Sequence, residues 1–188
     1  HFIEKNVAKD SPILDIGAYA SEILCVLHRL GYSQLTGVDL NPKIHRMPFI
    51  DSIRYIVSDF MHTPFENESF GVITSTSVIE HGFNSLALLS EIARLMQPGG
   101  YFIASFDYWP EKIDTTGILF FGMDWKIFSR EEVLAFIEEA RSHNFFPYGK
   151  INLAANERAV ECKGRQYTFV WLALRKGVAP GRRADIIP

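Results

Sequence analysis

The sequence has little cysteine and no long apolar run. Its two cysteines, Cys25 and Cys162, lie far apart and match no Cys-x-x-Cys spacing, which predicts a reduced, cytoplasmic protein rather than a disulfide framework. No apolar run approaches the ~20 residues of a membrane helix, and the first residues lack the basic and apolar regions of a signal peptide. We therefore expect no membrane partner. Because the sequence begins at His1 rather than methionine, a processed product and a piece of a longer chain both stay open.

An excess of positive charge is also missing. The net charge is −3, and the composition, 47% hydrophobic and 22% charged, is that of an ordinary globular domain. Nucleic-acid-binding domains usually carry a basic face, so we expect no nucleic-acid partner. His28, His45, His62 and His143 show no metal-ligand spacing, so we expect no metal. The basic cluster near the end is interpreted as a solvated tail; it consists of Arg175, Lys176, Arg182 and Arg183.

Short apolar runs that end in turn residues alternate with amphipathic segments, which predicts an α/β fold with a mainly parallel sheet, in one domain over residues 1–188. The last predicted helix opens with a capping box, Ser129 and Glu132. The predicted helices are Ser21–Leu30, Leu86–Met96 and Ser129–His143, and Pro98-Gly99-Gly100 stops the second. The predicted strands are Ile13–Gly17, Leu35–Leu40, Ile53–Val57, Phe70–Ser75, Tyr101–Phe106 and Tyr167–Leu174, the last paired with a strand near 150–154.

Polar residues and glycine follow the first strands. In parallel sheets, ligands bind beyond the carboxyl ends of the strands, so Gly17, Asp39, Asp59 and the segment 75–81 should gather there. Asp39 comes 22 residues after Gly17, close to the ~20 expected between a glycine turn and the acid that holds a ribose. A turn glycine, a turn aspartate and a helix cap are the structural alternatives for these three residues.

The loop after the first strand separates two kinds of nucleoside cofactor. A dinucleotide needs several glycines so that backbone N–H groups can approach its pyrophosphate. Here the loop is Gly17-Ala18-Tyr19-Ala20-Ser21-Glu22, with a single glycine, an aromatic ring and a carboxylate. S-adenosylmethionine has no phosphates, so the loop favours this methyl donor over NAD.

Five motifs occur in order over about residues 11–108. They are Leu14-Asp15-Ile16-Gly17, Gly37-Val38-Asp39-Leu40-Asn41-Pro42, Ser58-Asp59-Phe60, the run from Ser75 to Glu80-His81, and Leu95-Met96-Gln97-Pro98-Gly99-Gly100. Together they resemble the class I (Rossmann-like) S-adenosylmethionine-dependent methyltransferases, in the small-molecule, type 11-like branch. The resemblance implies a three-layer α/β/α, doubly wound, seven-stranded sheet with an antiparallel last strand.

The resemblance also implies roles for the residues at the strand ends. Gly17 and Ala18 would flank the methionine part of S-adenosylmethionine, Asp39 would hold the ribose, and Asp59 would accept from the adenine amino group. Tyr19 and Ser21 replace the second and third glycines of the family, and Tyr19 would cover the methionine part or fill some of the pocket. The other residues implied in cofactor binding are Asp15 in support of the loop, Leu40, Phe60 beside the adenine, and the backbone of Ser75 and Thr76.

Methyl transfer from a sulfonium is a direct displacement that needs alignment of the reactants and, for hydroxyl or amine acceptors, a base. The candidates for the base are His81 and Asp107. A long segment over 107–128, longer than usual connections, is predicted to be a lid. Its aromatic and acidic residues fit a sugar or polysaccharide precursor, and completion of the core edge is the alternative; the aromatics are Tyr108, Trp109, Phe120, Phe121 and Trp125.

Two other functions stay open. An NAD-dependent oxidoreductase would use the same fold, and a non-catalytic methyltransferase-like module would keep the fold as a binding unit. The altered loop at Tyr19 and Ser21 is the reason to keep the second.

Overall fold

A computed structural model describes residues 1–82 and 84–178, so Arg182 and Arg183 of the basic tail lie outside it. Its helices are α1 (Phe2–Asn6), α2 (Ile23–Arg29), α3 (Ser85–Leu95) and α4 (Arg130–Ser142), with a short 3-10 helix at Pro42–Arg46. Its strands are β1 (Ile13–Ile16), β2 (Leu35–Asp39), β3 (Arg54–Val57), β4 (Phe70–Thr76), β5 (Met96–Tyr108), β6 (Leu119–Phe120), β7 (Met123–Asp124), β8 (Phe145–Pro147), β9 (Val160–Cys162) and β10 (Arg165–Lys176).

One sheet runs through the described part of the chain in the order β3-β2-β1-β4-β5-β10-β8, and β9 pairs with β10 beside it. Strands β1 to β5 are parallel to one another, whereas β10 is antiparallel to both β5 and β8. The chain runs outward from β1 to β2 and β3, and then crosses back to β4, which lies on the other side of β1. The predicted doubly wound α/β fold with an antiparallel last strand is confirmed.

Alternating residues of the central strands supply two hydrophobic cores, one on each face of the sheet, because successive strand side chains point to opposite faces. Leu14 and Ile73 lie in the core beside α3 and α4. Ile13 and Val72 lie in the core beside α1 and α2. Since β1 is buried on both faces, all four of its residues are apolar or hydrogen-bonded inside the protein.

The two longer helices begin at polar caps. The Asn84 side chain accepts a hydrogen bond from Ala87 N at 3.1 Å at the start of α3. The capping box predicted at Ser129 and Glu132 is present at the start of α4. The apolar stripe predicted on α3 is buried and consists of Leu88, Leu89, Ile92 and Leu95. Within the described ranges, no helix is both long enough and apolar enough to cross a membrane.

Two predictions about strands are wrong. Strand β5 begins at Met96, directly after α3, so Pro98-Gly99-Gly100 lies inside the strand rather than before it. The predicted partner near 150–154 is not a strand: Asn152 Oδ1 accepts from Ala154 N at 3.0 Å, which turns the backbone locally. The pairing predicted for it belongs to β8 and β9.

The segment between β5 and α4 has more structure than the predicted open loop. Strand β5 continues through Tyr108, and β6 and β7 form a hairpin whose turn is Phe121-Gly122, both at positive φ. Beyond the hairpin, Trp125 is buried. We call residues 119–124 the hairpin.

Candidate functional site

The carboxyl ends of β1, β2 and β3 meet at one edge of the sheet. Ile16 pairs with Val38, and Asp39 with Val57. Gly17 N and Ala18 N both donate to the Val38 carbonyl oxygen, at 2.8 and 3.1 Å, which turns the chain out of β1 across the end of β2. The strand register therefore brings the ends that carry Gly17, Asp39 and Asp59 to one edge, as the sequence predicts.

Gly17 is required by both conformation and space. Its φ is +69°, in the left-handed region, and an added Cβ would lie 2.3 Å from Cγ2 of Val78. The segment after β4 thus packs directly onto the loop after β1. Sequence reasoning placed Val78 in the cleft segment without its contact to Gly17, because the two residues are far apart in the chain.

Asp39 already holds the backbone on both sides of it. Its Oδ2 accepts from Tyr19 N at 3.0 Å, and its Oδ1 accepts from Asn41 N at 2.8 Å. An ionised carboxylate offers about four lone-pair positions, so these two bonds leave capacity for two hydroxyl groups. The next residue, Leu40, is 56% exposed and offers an apolar surface at the same edge. The turn role foreseen as the alternative is present, and it does not use up the carboxylate.

Asp59 is half-buried at the start of the segment after β3. Its Oδ1 accepts from Met61 N at 2.8 Å, which turns the backbone, but the described chain has no helix between β3 and β4, so the helix cap foreseen as the alternative to adenine recognition is wrong. Phe60 is partly buried and packs against the core beside α3 and α4. One carboxylate oxygen of Asp59 is thus committed to the turn.

Asp15 lies inside the protein, 1% exposed, directly before the loop. Thr74 Oγ1 donates to its Oδ1 at 2.6 Å, while its Oδ2 has no hydrogen-bond partner within the described ranges. Burial raises the pKa of Asp15 to about 7, and the hydrogen bond from Thr74 works in the opposite direction. A buried carboxylate oxygen without a partner, next to the loop, is the kind of atom that a bound cation would satisfy.

The loop keeps its shape without further glycines. Ala20 adopts φ +64°, and its N–H points to the sulfur of Met47 at 3.4 Å. The Ser21 hydroxyl accepts from Ile23 N at 3.4 Å near the start of α2. Tyr19 is 37% exposed, so its ring is not part of the core.

The end of β4 contributes two residues in different environments. Ser75 is fully buried between Ile16 and Ala104 of the neighbouring strands, and its hydroxyl has no partner among the described residues. Thr76, the last residue of the strand, is exposed. The residue with access to the cleft is therefore Thr76.

The two residues predicted as candidates for the base lie behind the hairpin. His81 is half-buried, its ring centroid is 5.4 Å from that of Phe120, and burial lowers its pKa. Asp107 is 4% exposed, and its Oδ2 accepts from Trp125 Nε1 at 2.8 Å. Burial raises the pKa of Asp107 to about 6. Neither side chain is freely open to solvent, and Asp107 is bound to the segment that covers it.

The aromatic residues of the segment 107–128 divide into two groups. Tyr108 and Trp125 are buried and complete the core edge. Trp109 and Phe120 are half-buried, and Phe121 is 87% exposed at the tip of the hairpin. The first group therefore fits the interpretation as core edge, and the second group fits the interpretation as accessible surface.

Glu80 is a residue whose importance sequence reasoning missed. It is 1% exposed and lies against Asp107, and burial followed by the charge of Asp107 raises its pKa to about 8. The Glu-His pair was visible in the sequence, but its depth depends on the hairpin and β10, which pack over it from distant parts of the chain.

A cavity of about 210 Å³ opens beside the end of β4, between the sheet, α1 and α2. Thr76 and Ser105 are neighbours in the register across β4 and β5, and Trp171 of β10 pairs with Ser105. The cavity is lined by Thr76, Ser105, Trp171, Phe2, Val26 and Leu30, among others.

Comparison with known proteins identifies the central part of the chain. Residues 14–104 match the family described as methyltransferase domain. The phthiotriol/phenolphthiotriol dimycocerosates methyltransferase of Mycobacterium tuberculosis is 33% identical over 90 residues, which are 46% of this chain and 32% of that protein. The chain thus spans about a third of the length of this curated relative.

Solved structures extend the likeness in fold to nearly the whole chain. An S-adenosylmethionine-dependent methyltransferase from Methanosarcina mazei has a TM-score of 0.71 at 16% identity, over 95% of this chain and 98% of that one. Geranyl diphosphate C-methyltransferase from Streptomyces coelicolor, solved with S-adenosyl-L-homocysteine, has a TM-score of 0.69 at 17% identity, over 93% of this chain and 77% of that one.

Proposed function

We propose that this chain, whose residues 14–104 match a methyltransferase domain, is a class I, Rossmann-like enzyme that transfers a methyl group from S-adenosylmethionine to a small molecule. The observation that carries the proposal is the set of strand-end carboxylates around a loop with one glycine. S-adenosylmethionine is a cation at its sulfonium and ammonium groups, whereas NAD brings a pyrophosphate. Negative side chains at the site favour the first and repel the second. These side chains are Asp39 and Asp59, and Asp15, whose pKa burial raises to about 7, adds to them when it is ionised.

The residues at the site fit the cofactor in chemical type. Asp39 keeps hydrogen-bonding capacity for the two ribose hydroxyls, and Leu40 offers an apolar surface beside it. The unpartnered oxygen of Asp15 suits the ammonium group of the methionine part, directly or through water. A bound cation would favour the ionised form of Asp15 and so lower its pKa again.

The cofactor supplies an electrophilic methyl group, so the protein needs no nucleophile of its own. The loop at Gly17 and the end of β4 at Thr76 fix the position of the donor, and the cavity beside Thr76 holds the acceptor. Such alignment contributes up to ~7–11 kcal/mol in favourable cases. Of the two candidates for the base, His81 is the less constrained, since burial lowers its pKa and favours the neutral form, whereas Asp107 is tied to Trp125; neither side chain lines this cavity.

Cofactor binding is tested by thermal unfolding with S-adenosylmethionine, S-adenosylhomocysteine and NAD. A ligand at 100 times its Kd stabilises a protein by about 2.7 kcal/mol. For a chain of this size, that corresponds to a rise in Tm of about 5–10 °C. We expect this rise with the first two ligands and no rise with NAD. A response to NAD alone would support an oxidoreductase, and no response to any of them would support a non-catalytic module.

For the acceptor, we propose a molecule with an apolar body. The cavity beside Thr76 has apolar walls at Val26, Leu30 and Trp171, of which Trp171 is 45% exposed. Of the carboxylates that would bind sugar hydroxyls, Asp107 is tied to Trp125, and the exposed Glu111, Asp114 and Asp124 do not line this cavity. The relative from M. tuberculosis is named for a lipid acceptor, which supports the same class. The sugar or polysaccharide precursor stays a prediction.

Release of S-adenosylhomocysteine with a panel of acceptors decides between these classes. We expect turnover with isoprenoid, sterol or fatty-chain acceptors and none with nucleotide sugars. Trp171→Ala should raise the KM of an apolar acceptor about tenfold, the effect of roughly 1.4 kcal/mol of lost burial. Phe146→Ala is the matched control, because Phe146 is a similarly exposed aromatic, 45% exposed, on β8. Turnover confined to nucleotide sugars would overturn the apolar class and support the sugar.

A further inference from the structure

Two buried carboxyl groups lie against each other at the ends of β4 and β5. Glu80 is 1% exposed and Asp107 is 4% exposed. The side chains interact directly, while Oε2 of Glu80 receives no hydrogen bond from any N–H or neutral hydroxyl of the described chain. An ionised carboxylate is only an acceptor, so a hydrogen bond between two carboxyl groups requires a proton on one of them. The contact between the two side chains is therefore explained by a proton that the two residues hold in common.

The hairpin is attached to the same place. His81 and Trp125 form a β-bridge. Gly82 N donates to the Asp124 carbonyl and Lys126 N to the Glu80 carbonyl, each at 2.9 Å. From the other side, the indole N–H of Trp125 donates to Asp107. The backbone and side-chain bonds together fix the end of the hairpin to the carboxyl pair.

We infer that Glu80 is a positioning residue, which shares one proton with Asp107 and through Asp107 and Trp125 holds the hairpin closed over His81 and the ends of β4 and β5. Loss of that proton places two negative charges side by side in a buried site. The charge repulsion is relieved when Trp125 and the hairpin move out and water enters. The open and closed hairpin thus differ by one bound proton.

The other titratable and charged groups that face Glu80 and Asp107 do not change the assignment of a shared proton to these two residues. The Tyr167 hydroxyl of β10 hydrogen bonds to Asp107, and burial raises the pKa of Tyr167, so it stays neutral. Cys162 of β9 lies beside Tyr167. His81 is held neutral by burial, and the Lys126 ammonium pairs with Glu132 at 3.3 Å.

The direction of the pH effect follows from proton linkage. Burial raises the pKa of Glu80 to about 8, well above the value of an exposed glutamate, so the closed form binds the proton more tightly than the open form. The stabilisation of the closed hairpin is full at low pH and is lost as the pH rises to about 8. Linkage of one proton makes the opening constant rise about tenfold per pH unit between pH 6 and 8, then level off.

Hydrogen exchange of the amides of residues 118–126 measures this opening without any enzymatic assay. In the wild-type chain, exchange corrected for its intrinsic pH dependence should accelerate about 100-fold from pH 6 to pH 8. Glu80→Gln replaces the shared proton with a permanent amide donor to Asp107, so exchange should become nearly independent of pH. Asp107→Asn removes only the charge repulsion, and its amide oxygen still accepts from Trp125, so the pH dependence should weaken but persist, because burial still raises the pKa of Glu80. Asp124→Asn, an exposed change on the hairpin itself, should keep the wild-type profile.

The inference is overturned if Glu80→Gln exchanges with the same pH dependence as the wild-type chain. Absence of methyl transfer would refute the proposed function and leave the exchange result to decide the role of Glu80.

Discussion

Replacement of Gly17 by alanine is expected to destabilise the protein and to weaken cofactor binding together. The left-handed backbone costs a side-chain-bearing residue about 1–2 kcal/mol. The new Cβ, 2.3 Å from Val78 Cγ2, forces apart two segments that are packed in contact. Overpacking of this kind costs about 1–3 kcal/mol, and the stiff β-branched side chain of Val78 has little freedom to move away. We expect a loss of about 2–5 kcal/mol in the free energy of unfolding, which is the sum of these two ranges.

The effect on cofactor binding follows from the displacement of the loop at Gly17 or of the segment that carries Val78. Since Gly17 and the end of β4 lie on two sides of the site proposed for the donor, a shift of either one changes the cleft. We expect the Kd of S-adenosylhomocysteine, measured by calorimetry, to rise at least about tenfold, or 1.4 kcal/mol. The double variant with Val78→Ala should recover the packing part of the lost stability and leave the backbone part.

Gly31→Ala is the matched control for the backbone part. Gly31 also has a positive φ, +87°, but an added Cβ there would meet nothing within 4 Å. It should cost about 1–2 kcal/mol of stability and leave cofactor affinity unchanged. If Gly17→Ala behaves like Gly31→Ala in both measurements, the contact between the loop and Val78 is dispensable.

The local features of the site were predictable because they depend on residues close in the chain. The mainly apolar tetrapeptide Ile13–Ile16 followed by glycine, and a strand that ends in Asp39, are each complete within a few residues. The parallel arrangement of the strands then brings these residues together, because it places the carboxyl ends of neighbouring strands at one edge of the sheet, whatever segments connect the strands. The capping box at Ser129 was predictable for the same reason, because its two partners are three residues apart.

What could not be predicted depends on contacts between distant segments. The predicted partner of β10, residues 150–154, was wrong. Tertiary packing pairs β10 with β8 and β9 instead, and a local turn at Asn152 interrupts residues 150–154. The extension of β5 to Met96 arises from pairing with Phe70 across an irregularity in the register. Asp107 was predicted only as a candidate for the base, and its burial could not be foreseen because it depends on Trp125, which is 18 residues further along the chain.

Asp39→Ala is expected to reduce the affinity for S-adenosylmethionine and S-adenosylhomocysteine by about 10- to 150-fold, which corresponds to 1.5–3 kcal/mol for hydrogen bonds to a charged group. The alanine removes the carboxylate proposed for the ribose, and it also releases the Tyr19 and Asn41 amides. Calorimetric titration measures the affinity. Asp51→Ala, an exposed aspartate away from the strand ends, is the control and should bind normally.

Asp39→Ala loses both the carboxylate proposed for the ribose and the acceptor for two backbone amides, and two further variants separate these losses. Asp39→Asn keeps one acceptor oxygen for a backbone amide but removes the charge, so its affinity should fall between those of the wild type and Asp39→Ala. Tyr19→Gly keeps the backbone N–H that Asp39 holds and removes only the ring, so affinity should stay the same or improve if the ring crowds the pocket. A large loss in Tyr19→Gly would show that the ring packs on the cofactor.

Unfolding without ligand completes the separation, because only the backbone role of Asp39 contributes in the free protein. If the unliganded Tm falls in Asp39→Ala while affinity is unchanged, Asp39 is a turn residue and the ribose assignment is wrong. If affinity falls in Asp39→Ala and in Asp39→Asn while the unliganded Tm of the asparagine variant stays near the wild type, the charge itself is what the cofactor uses. That result would also explain why a loop with one glycine suffices, since a cofactor held by a carboxylate at its ribose does not require close approach of the backbone to a phosphate.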